Sequence, residues 1–201
     1  MIKTTCTKLF SDFPFAHRQH SHDGHCAWIH GHNWSFEITF EADKLDDNQF
    51  VVDFGKLKWL KRWLDERFDH TLLLNENDPW LIYLQNVLQD TPESWEQGPC
   101  FSKIIVVPNC GAEGLALWIM QQVNQLLDTM PDEIYPDVLN LRNVRIVKVT
   151  VYEDSKNSAT VEKNDDVELY TNSAEFAKKL DDSAKQSIAN AISRGWKGGV
   201  T

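Results

Sequence analysis

The sequence predicts an α+β fold, in which an antiparallel four-stranded sheet carries two helices on one face. Alternating apolar and polar residues, the pattern of half-buried strands, fill much of residues 5–40 and return over residues 143–153. Between these segments, apolar residues recur at helical spacing in two stretches. Strands that are grouped, rather than alternating regularly with helices, are typical of α+β proteins.

The chain begins with a predicted hairpin over residues 4–44. Its strands contain the alternating runs 5–13 and 33–40, and a long polar loop separates them. The cluster 43–48 is rich in Asp and Asn, which are typical turn residues. The hairpin is therefore expected to end at this cluster.

A first helix is predicted over residues 55–68. The apolar residues at helical spacing are Leu57, Leu60, Leu64 and Phe68. Asp78-Pro79 predicts the start of a short second helical segment, because Asp caps helices and proline suits their first turn. The surrounding stretch 76–101 is irregular and carries no functional prediction.

The remaining core elements are a strand, a helix and a final strand. The run 102–107 is rich in β-branched residues and predicts a buried strand. The turn 109–111 leads into a long helix that ends at Met130-Pro131, and residues 143–153 form the last core strand.

The chain becomes polar after this strand. We therefore assign residues 1–160 to one domain and residues 161–201 to a C-terminal extension. A helix over residues 172–194 is predicted in the extension, with Asn172 as its cap and Gly195 beyond its end.

Composition excludes several classes of protein. The net charge of −10 argues against a nucleic-acid surface. No run of about eighteen apolar residues could span a membrane, and no apolar signal-peptide stretch follows Met1. The four cysteines lack regular spacing, which argues against a disulfide scaffold and fits a reducing compartment. We expect a cytoplasmic protein.

Histidines are concentrated at the turn of the predicted hairpin. Six of the seven fall within residues 13–34. His30 and His32 are two residues apart, so both side chains project to one face of a strand, and His17 ends the preceding strand. Three neutral imidazoles suit Zn²⁺ and leave a fourth position open, as in catalytic zinc sites. The other members of the cluster are interpreted as loop residues: His20, His22 and His25.

Cys26 allows two interpretations. A thiolate is a strong zinc ligand, so Cys26 together with the three histidines would close the coordination shell and form a structural clip. The protein would then be a non-catalytic binding module. A thiol near a metal and imidazoles is also easily ionised, and it can act as a base.

The motif Phe15-x-His17, followed by Cys26-x-x-x-His30-Gly31-His32, resembles the signature of the pterin synthase family that contains 6-pyruvoyltetrahydropterin synthase and 6-carboxytetrahydropterin synthase. Further landmarks follow in the family's order: Val52-Asp53-Phe54, Phe68-Asp69-His70, Ala112-Glu113 and Val151-Tyr152-Glu153. The resemblance covers residues 4–153. It implies the tunnelling fold, in which subunits join their sheets into a barrel, commonly as a homohexamer made of two trimers.

The resemblance also implies the chemistry. The substrate would be 7,8-dihydroneopterin triphosphate, and Zn²⁺ on His17, His30 and His32 would bind the hydroxyls of its side chain. Cys26 would be the base, and Asp69 and His70 would work as a proton-transferring unit.

Glu153 resembles the family's pterin anchor, with Glu113 as a second pocket residue, because a carboxylate can accept two N–H donors from the pterin edge. The sequence departs from the family at three places. Relatives tend to have Thr before and Asn after the Ala-Glu pair, where this chain has Gly111 and Gly114, and Thr after the anchoring Glu, where Asp154 stands.

The short interval between Cys26 and His30 resembles the 6-carboxytetrahydropterin synthases of queuosine and 7-deazaguanine synthesis. This branch cleaves a carbon–carbon bond and releases 6-carboxy-5,6,7,8-tetrahydropterin, acetaldehyde and triphosphate. The alternative within the family is triphosphate elimination to the 6-pyruvoyl product.

Overall fold

The computed structural model describes residues 3–81, 83, 103–129 and 143–163. Its helices and strands, in chain order, are β1 (Thr4–His17), β2 (His30–Ala42), α1 (Lys58–Phe68), β3 (Thr71–Asn75), β4 (Lys103–Val107), α2 (Ala112–Thr129), β5 (Val144–Tyr152) and β6 (Ser158–Glu162). Two short 3₁₀ turns are present at His25–Ala27 and Phe54–Leu57. No helix within the described ranges is long and apolar enough to cross a membrane.

The strands form one mixed sheet in the order β4-β3-β1-β2-β5-β6. The pairs β1/β2, β2/β5 and β5/β6 are antiparallel, whereas β1/β3 and β3/β4 are parallel. The prediction of an antiparallel four-stranded sheet is therefore wrong in two respects. The sheet has six strands, and β3 and β4 run parallel to β1.

Two strands were missing from the prediction for different reasons. Residues 71–75 are nearly all buried, so they lack the alternation that marks a half-exposed strand. They pair on both sides, with β1 and with β4, which corresponds to the strand predicted over residues 102–107. Residues 158–162 form a short edge strand with three exposed positions, which resembles a polar loop in the sequence.

Both predicted helices are present. The segment expected as a helix from residue 55 begins with the 3₁₀ turn Phe54–Leu57, and the side chain of Asp53 caps this turn by accepting from the Gly55 amide at 2.8 Å. After Asp78, Trp80 and Leu81 are helical. The remainder of that predicted segment and the helix at 172–194 lie outside the described residues.

Aromatic side chains connect the helices to one face of the sheet. Phe68 of α1 contacts Phe36 of β2 at 4.7 Å between ring centroids and Trp118 of α2 at 6.1 Å. Trp63 and Trp118 stack at 5.8 Å. Trp63 is therefore a packing residue, and both helices meet the sheet on the face that carries Phe36.

The register of the β1–β2 hairpin places the histidines on this same face. His17 lies opposite His30, and Phe15 lies opposite His32. Residues that oppose each other in an antiparallel pair share a face. A bulge between Phe10 and Phe13 allows both of these side chains to be buried, although they are three residues apart. The backbone of Asp12, inside the bulge, has φ 69°.

Candidate metal centre

The end of the hairpin brings four potential ligands together. His17, His30, His32 and Glu153 each offer one ligand atom, and these atoms all lie within 4.8 Å of one another. His17 ends β1, His30 and His32 begin β2, and Glu153 directly follows β5. Because β2 pairs with both β1 and β5, the three adjacent strand ends supply the whole group.

Backbone carbonyls orient two of the rings. Nδ1 of His17 donates to the carbonyl oxygen of Cys110 at 2.8 Å, and Nδ1 of His30 donates to that of Trp28 at 2.8 Å. A carbonyl can only accept, so Nδ1 must carry the proton in both rings and Nε2 keeps its lone pair. Metal-binding histidines are typically held in this way by their second nitrogen.

The interior of the group has the donor chemistry of a cation site. Nε2 of His17 and Nε2 of His32 are buried and have no hydrogen-bond partner within the described ranges. The Oε1 atom of Glu153 lies 3.4 Å from the first and 3.2 Å from the second. Buried ring nitrogens that make no hydrogen bond and face a carboxylate are costly unless a proton or cation lies between them. Imidazole and carboxylate are both zinc ligands, so these residues fit Zn²⁺.

His17 is held in the neutral state that metal binding requires. It is only 3% exposed. Burial lowers the pKa of His17 to about 4; the hydrogen bond to Cys110 opposes the shift, and the neighbouring His30 and His32 add to it. At neutral pH the ring is therefore uncharged, and its Nε2 can donate an electron pair to a metal ion.

Trp34 forms one wall of the group. Its ring centroid lies 4.9 Å from that of His17 and 5.5 Å from that of His32, in both cases edge to face. It also stacks on Phe15 at 4.6 Å. Trp34 follows His30 and His32 in the alternation along β2, so it lies on the same face, but it was not among the predicted site residues.

Cys26 lies in the 3₁₀ turn His25–Ala27 and is half-buried. Its carbonyl oxygen accepts the Gln19 amide at 2.8 Å, which closes the loop between the strands. Its thiol does not belong to the ligand group, in which Glu153 stands beside the three histidines. The four-ligand set with Cys26 is thus not the set that the structure assembles.

Asp69 and His70 form a pair outside the ligand group. Nδ1 of His70 donates to Oδ1 of Asp69 at 2.7 Å, and the His70 amide donates to the carbonyl of Pro14. Both side chains are exposed, with 82% of His70 accessible. His70 has φ 54°, a left-handed conformation that is uncommon outside glycine. The structure therefore pairs the two residues as expected, but at the protein surface.

The two predicted pterin-binding carboxylates lie in different places. Glu153 belongs to the ligand group, whereas Glu113 lies in the first turn of α2. Asp154, the departure after Glu153, caps the β5–β6 turn by accepting the amides of Lys156 and Asn157, and these hydrogen bonds lower the pKa of its carboxyl group. Its side chain is therefore already used by the turn.

The turn 108–111, before α2, is the part of the site that sequence reasoning missed. The side chain of Asn75 donates to the Pro108 carbonyl, and the Cys110 carbonyl accepts from His17. The thiol of Cys110 is buried, and burial raises its pKa to about 12, so it stays protonated at neutral pH. The contribution of Cys110 to the site is its backbone, which leaves no signal in the sequence.

A mixed six-stranded sheet with a three-histidine and carboxylate group at its strand ends defines an α+β protein with a candidate metal centre. The sequence model of the 6-pyruvoyl tetrahydropterin synthase family matches residues 5–164. The chain belongs to this family.

Individual relatives agree with this assignment. The 6-carboxy-5,6,7,8-tetrahydropterin synthase of Rickettsia conorii is 31% identical over 157 residues, which are 76% of this chain and 94% of that protein. An uncharacterized protein from Wolinella succinogenes has the same fold, with a TM-score of 0.60 and 23% identity over 82% of this chain and all of that one. A 6-pyruvoyltetrahydropterin synthase variant from Plasmodium vivax matches with a TM-score of 0.51 and 23% identity, over 80% of this chain and 99% of that one.

Proposed function

We propose that the protein is a zinc-dependent 6-carboxytetrahydropterin synthase, which converts 7,8-dihydroneopterin triphosphate to 6-carboxy-5,6,7,8-tetrahydropterin, acetaldehyde and triphosphate. The observation that carries the proposal is the convergence of three imidazoles and a carboxylate, with two buried Nε2 atoms that have no hydrogen-bond partner among the described residues. The R. conorii relative bears the name of this activity. The reaction would belong to queuosine and 7-deazaguanine synthesis. The three cysteines in the described part of the chain form no disulfide, which suits the reducing cytoplasm: Cys6, Cys26 and Cys110.

His17, His30 and His32 would hold the zinc ion. When bound, the ion supplies a Lewis acid that acidifies the hydroxyl groups of the substrate side chain. The fixed Nδ1 protons of His17 and His30 keep their Nε2 lone pairs aimed at it. This arrangement would require no movement of either ring before substrate arrives.

Cys26 would accept a proton from the substrate side chain. Its thiol is outside the ligand group, so its basicity is not lost to direct ligation. Asp69 would keep the proton of His70 on Nδ1, which leaves Nε2 as the atom that accepts and returns a proton.

Glu153 and Glu113 would bind the pterin. A carboxylate that accepts two N–H donors from the guanidine-like edge of the ring fixes its orientation as well as its position. Glu153 is close enough to His17 and His32 to serve either as this anchor or as the fourth ligand before substrate binds.

We also propose that the protein works as a homo-oligomer, a hexamer made of two trimers. Among the described residues, β4 and β6 are the edges of the sheet, and an edge strand can pair with another strand to continue the sheet into a barrel. Asp69 and His70 are exposed and lie outside the ligand group, which favours a site that oligomerisation completes. Light scattering coupled to gel filtration measures the subunit number.

Product analysis tests the reaction. Purified zinc-loaded protein is supplied with 7,8-dihydroneopterin triphosphate, and products are followed by mass spectrometry. Acetaldehyde with a carboxypterin supports the proposal. A pyruvoyl pterin supports triphosphate elimination, the second candidate, which is the activity in the family's name.

Cys26→Ala distinguishes catalysis from a structural clip. We expect this variant to lose turnover while it retains one zinc ion per subunit, because the thiol is not part of the ligand group. Loss of zinc from Cys26→Ala, with no turnover by the wild-type protein, would instead establish the non-catalytic binding module. Cys26→Ser, whose side chain has nearly the shape of cysteine but no thiol, serves as the isosteric control.

A further inference from the structure

Three polar side chains from different segments converge on Gly111. A Cβ atom built on this glycine would lie 2.6 Å from Nε2 of Gln19, 3.3 Å from Oδ1 of Asn109 and 3.4 Å from Oε2 of Glu113. Gln19 belongs to the loop after His17, whereas Glu113 lies in the first turn of α2. The missing side chain at position 111 thus leaves the space that the Gln19 amide occupies.

Asn109 is the centre of this arrangement. Its Oδ1 accepts from Nε2 of Gln19 at 3.1 Å and from the backbone amide of Gly111 at 2.8 Å. A Cβ atom on Gly114 would lie 2.4 Å from the Cβ of Asn109, well inside van der Waals contact. Because the Cβ of Asn109 is fixed to its backbone, Gly114 cannot gain a side chain unless the turn moves.

The hydrogen-bonded side chains of Gln19 and Asn109 connect both sides of the candidate site. On one side, the Gln19 backbone amide donates to the carbonyl of Cys26 at 2.8 Å. On the other side, Asn109 directly precedes Cys110, whose carbonyl holds His17. The Gln19–Asn109 hydrogen bond therefore ties the Cys26 loop to the turn that orients a ligand ring.

We propose that Gln19 and Asn109 are positioning residues, which fix the turn 108–111 so that Cys110 orients His17 and Glu113 stays beside Gly111. Gly111 and Gly114 make room for these two residues. A side chain at position 111 would displace Gln19, and one at position 114 would displace Asn109. The inference rests on the proposed function only in that the histidine group binds zinc. It requires no particular pterin reaction.

Zinc affinity measured with a chromophoric competing chelator tests the proposal without substrate. Removal of a group that orients a metal ligand directly costs about 10–100-fold in affinity. Gln19 acts one contact further away, so Gln19→Ala should weaken zinc binding by roughly three- to tenfold. Gly111→Ala should have a similar effect, because the added methyl group displaces the Gln19 amide.

The double variant Gln19→Ala/Gly111→Ala provides the decisive comparison. With the Gln19 amide already absent, the methyl group at 111 has little left to displace, so the two losses should not add. Urea unfolding of the metal-free variants should show the same non-additivity. Gln125→Ala, which removes an exposed amide on α2, should leave zinc affinity unchanged.

Gly114→Ala tests the other half of the arrangement. We expect a larger loss of zinc affinity than for Gly111→Ala, and Asn109→Gly/Gly114→Ala should recover part of it because the clashing Cβ is gone. Should Gly114→Ala fail to fold, recovery of folded protein in this double variant supports the same conclusion.

The inference is overturned if Gln19→Ala binds zinc as tightly as the wild-type protein, or if the effects at positions 19 and 111 simply add. A failure of the proposed function gives a different result: the wild-type protein would bind zinc and show the predicted coupling, yet release no carboxypterin.

Discussion

The two histidine-containing units of this protein are built in opposite ways. His17 is 3% exposed, sits in a group of four potential ligands, and has its Nδ1 fixed by a backbone carbonyl. The His70 side chain is 82% exposed and pairs only with its sequence neighbour Asp69 among the residues described. The difference indicates that the first unit is shaped to hold a cation, whereas the second is left accessible to bound molecules or to another copy of the chain.

Removal of a ligand should have the largest effect. We expect His17→Ala to lower zinc affinity by more than about a hundredfold, beyond the loss caused by changes around a ligand, and to abolish turnover with it. Zinc content after dialysis, measured by elemental analysis, checks this. His25→Ala is the matched control, because His25 is an exposed loop residue; equal zinc loss in both variants would contradict the assigned group.

Removal of His70 should separate turnover from metal binding. His70→Ala is expected to lower kcat by about 10²–10⁴, the usual range for a proton-transferring group, with one zinc ion still bound per subunit. Asp69→Asn should have a smaller effect in the same direction, because it alters only the partner of Nδ1. Unchanged kcat in His70→Ala would show that the exposed pair has no part in the reaction.

A mixture of inactive variants sharpens the comparison further. If the exposed pair completes the site of another subunit, co-refolded Cys26→Ala and His70→Ala chains should recover part of the wild-type activity. Each variant refolded alone provides the baseline. No recovery, in a mixture proven to contain mixed oligomers, would place both residues in the same subunit's reaction.

The smallest effect concerns pH. The pKa of His17 is lowered from 6.5 to about 4 by burial, so the unfolded chain binds a proton more readily than the folded one. Stability of the metal-free protein should therefore fall as pH decreases from about 6.5 towards 4. Urea unfolding at several pH values measures this, and His17→Gln, which cannot titrate, should show a weaker dependence. Equal dependence in both proteins would exclude His17 as its source.

Short-range periodicity predicted the parts of the fold that depend on it. The spacing of His30 and His32, together with a strand ending at His17, was sufficient to bring three imidazoles to one point. The helices were likewise predicted because each has one apolar face. β3 was not, since a strand that is buried on both sides has no alternation to detect.

The parts of the site that the sequence did not predict depend on contacts between distant segments. Glu153 was expected to bind the pterin, and its place in the ligand group follows from the β2–β5 register. The contact between His17 and Cys110 spans 93 residues and uses a backbone oxygen, so no residue type reveals it. Gly111 and Gly114 were recognised only as departures, because the side chains that fill their space come from elsewhere.

The bulge in β1 makes the candidate metal site depend on the number of residues in this strand. One extra residue between Phe10 and Phe13 lets both halves of the strand direct their aromatic side chains inward. Without the bulge, a regular strand would place Phe10 and Phe13 on opposite faces, because they are three residues apart, and either Phe10 or the half that ends at His17 would turn towards solvent. Deleting one of the two residues between them would restore simple alternation, so a deletion inside the bulge should be tolerated far better than a deletion between Phe13 and His17, which would turn the histidine away from its partners.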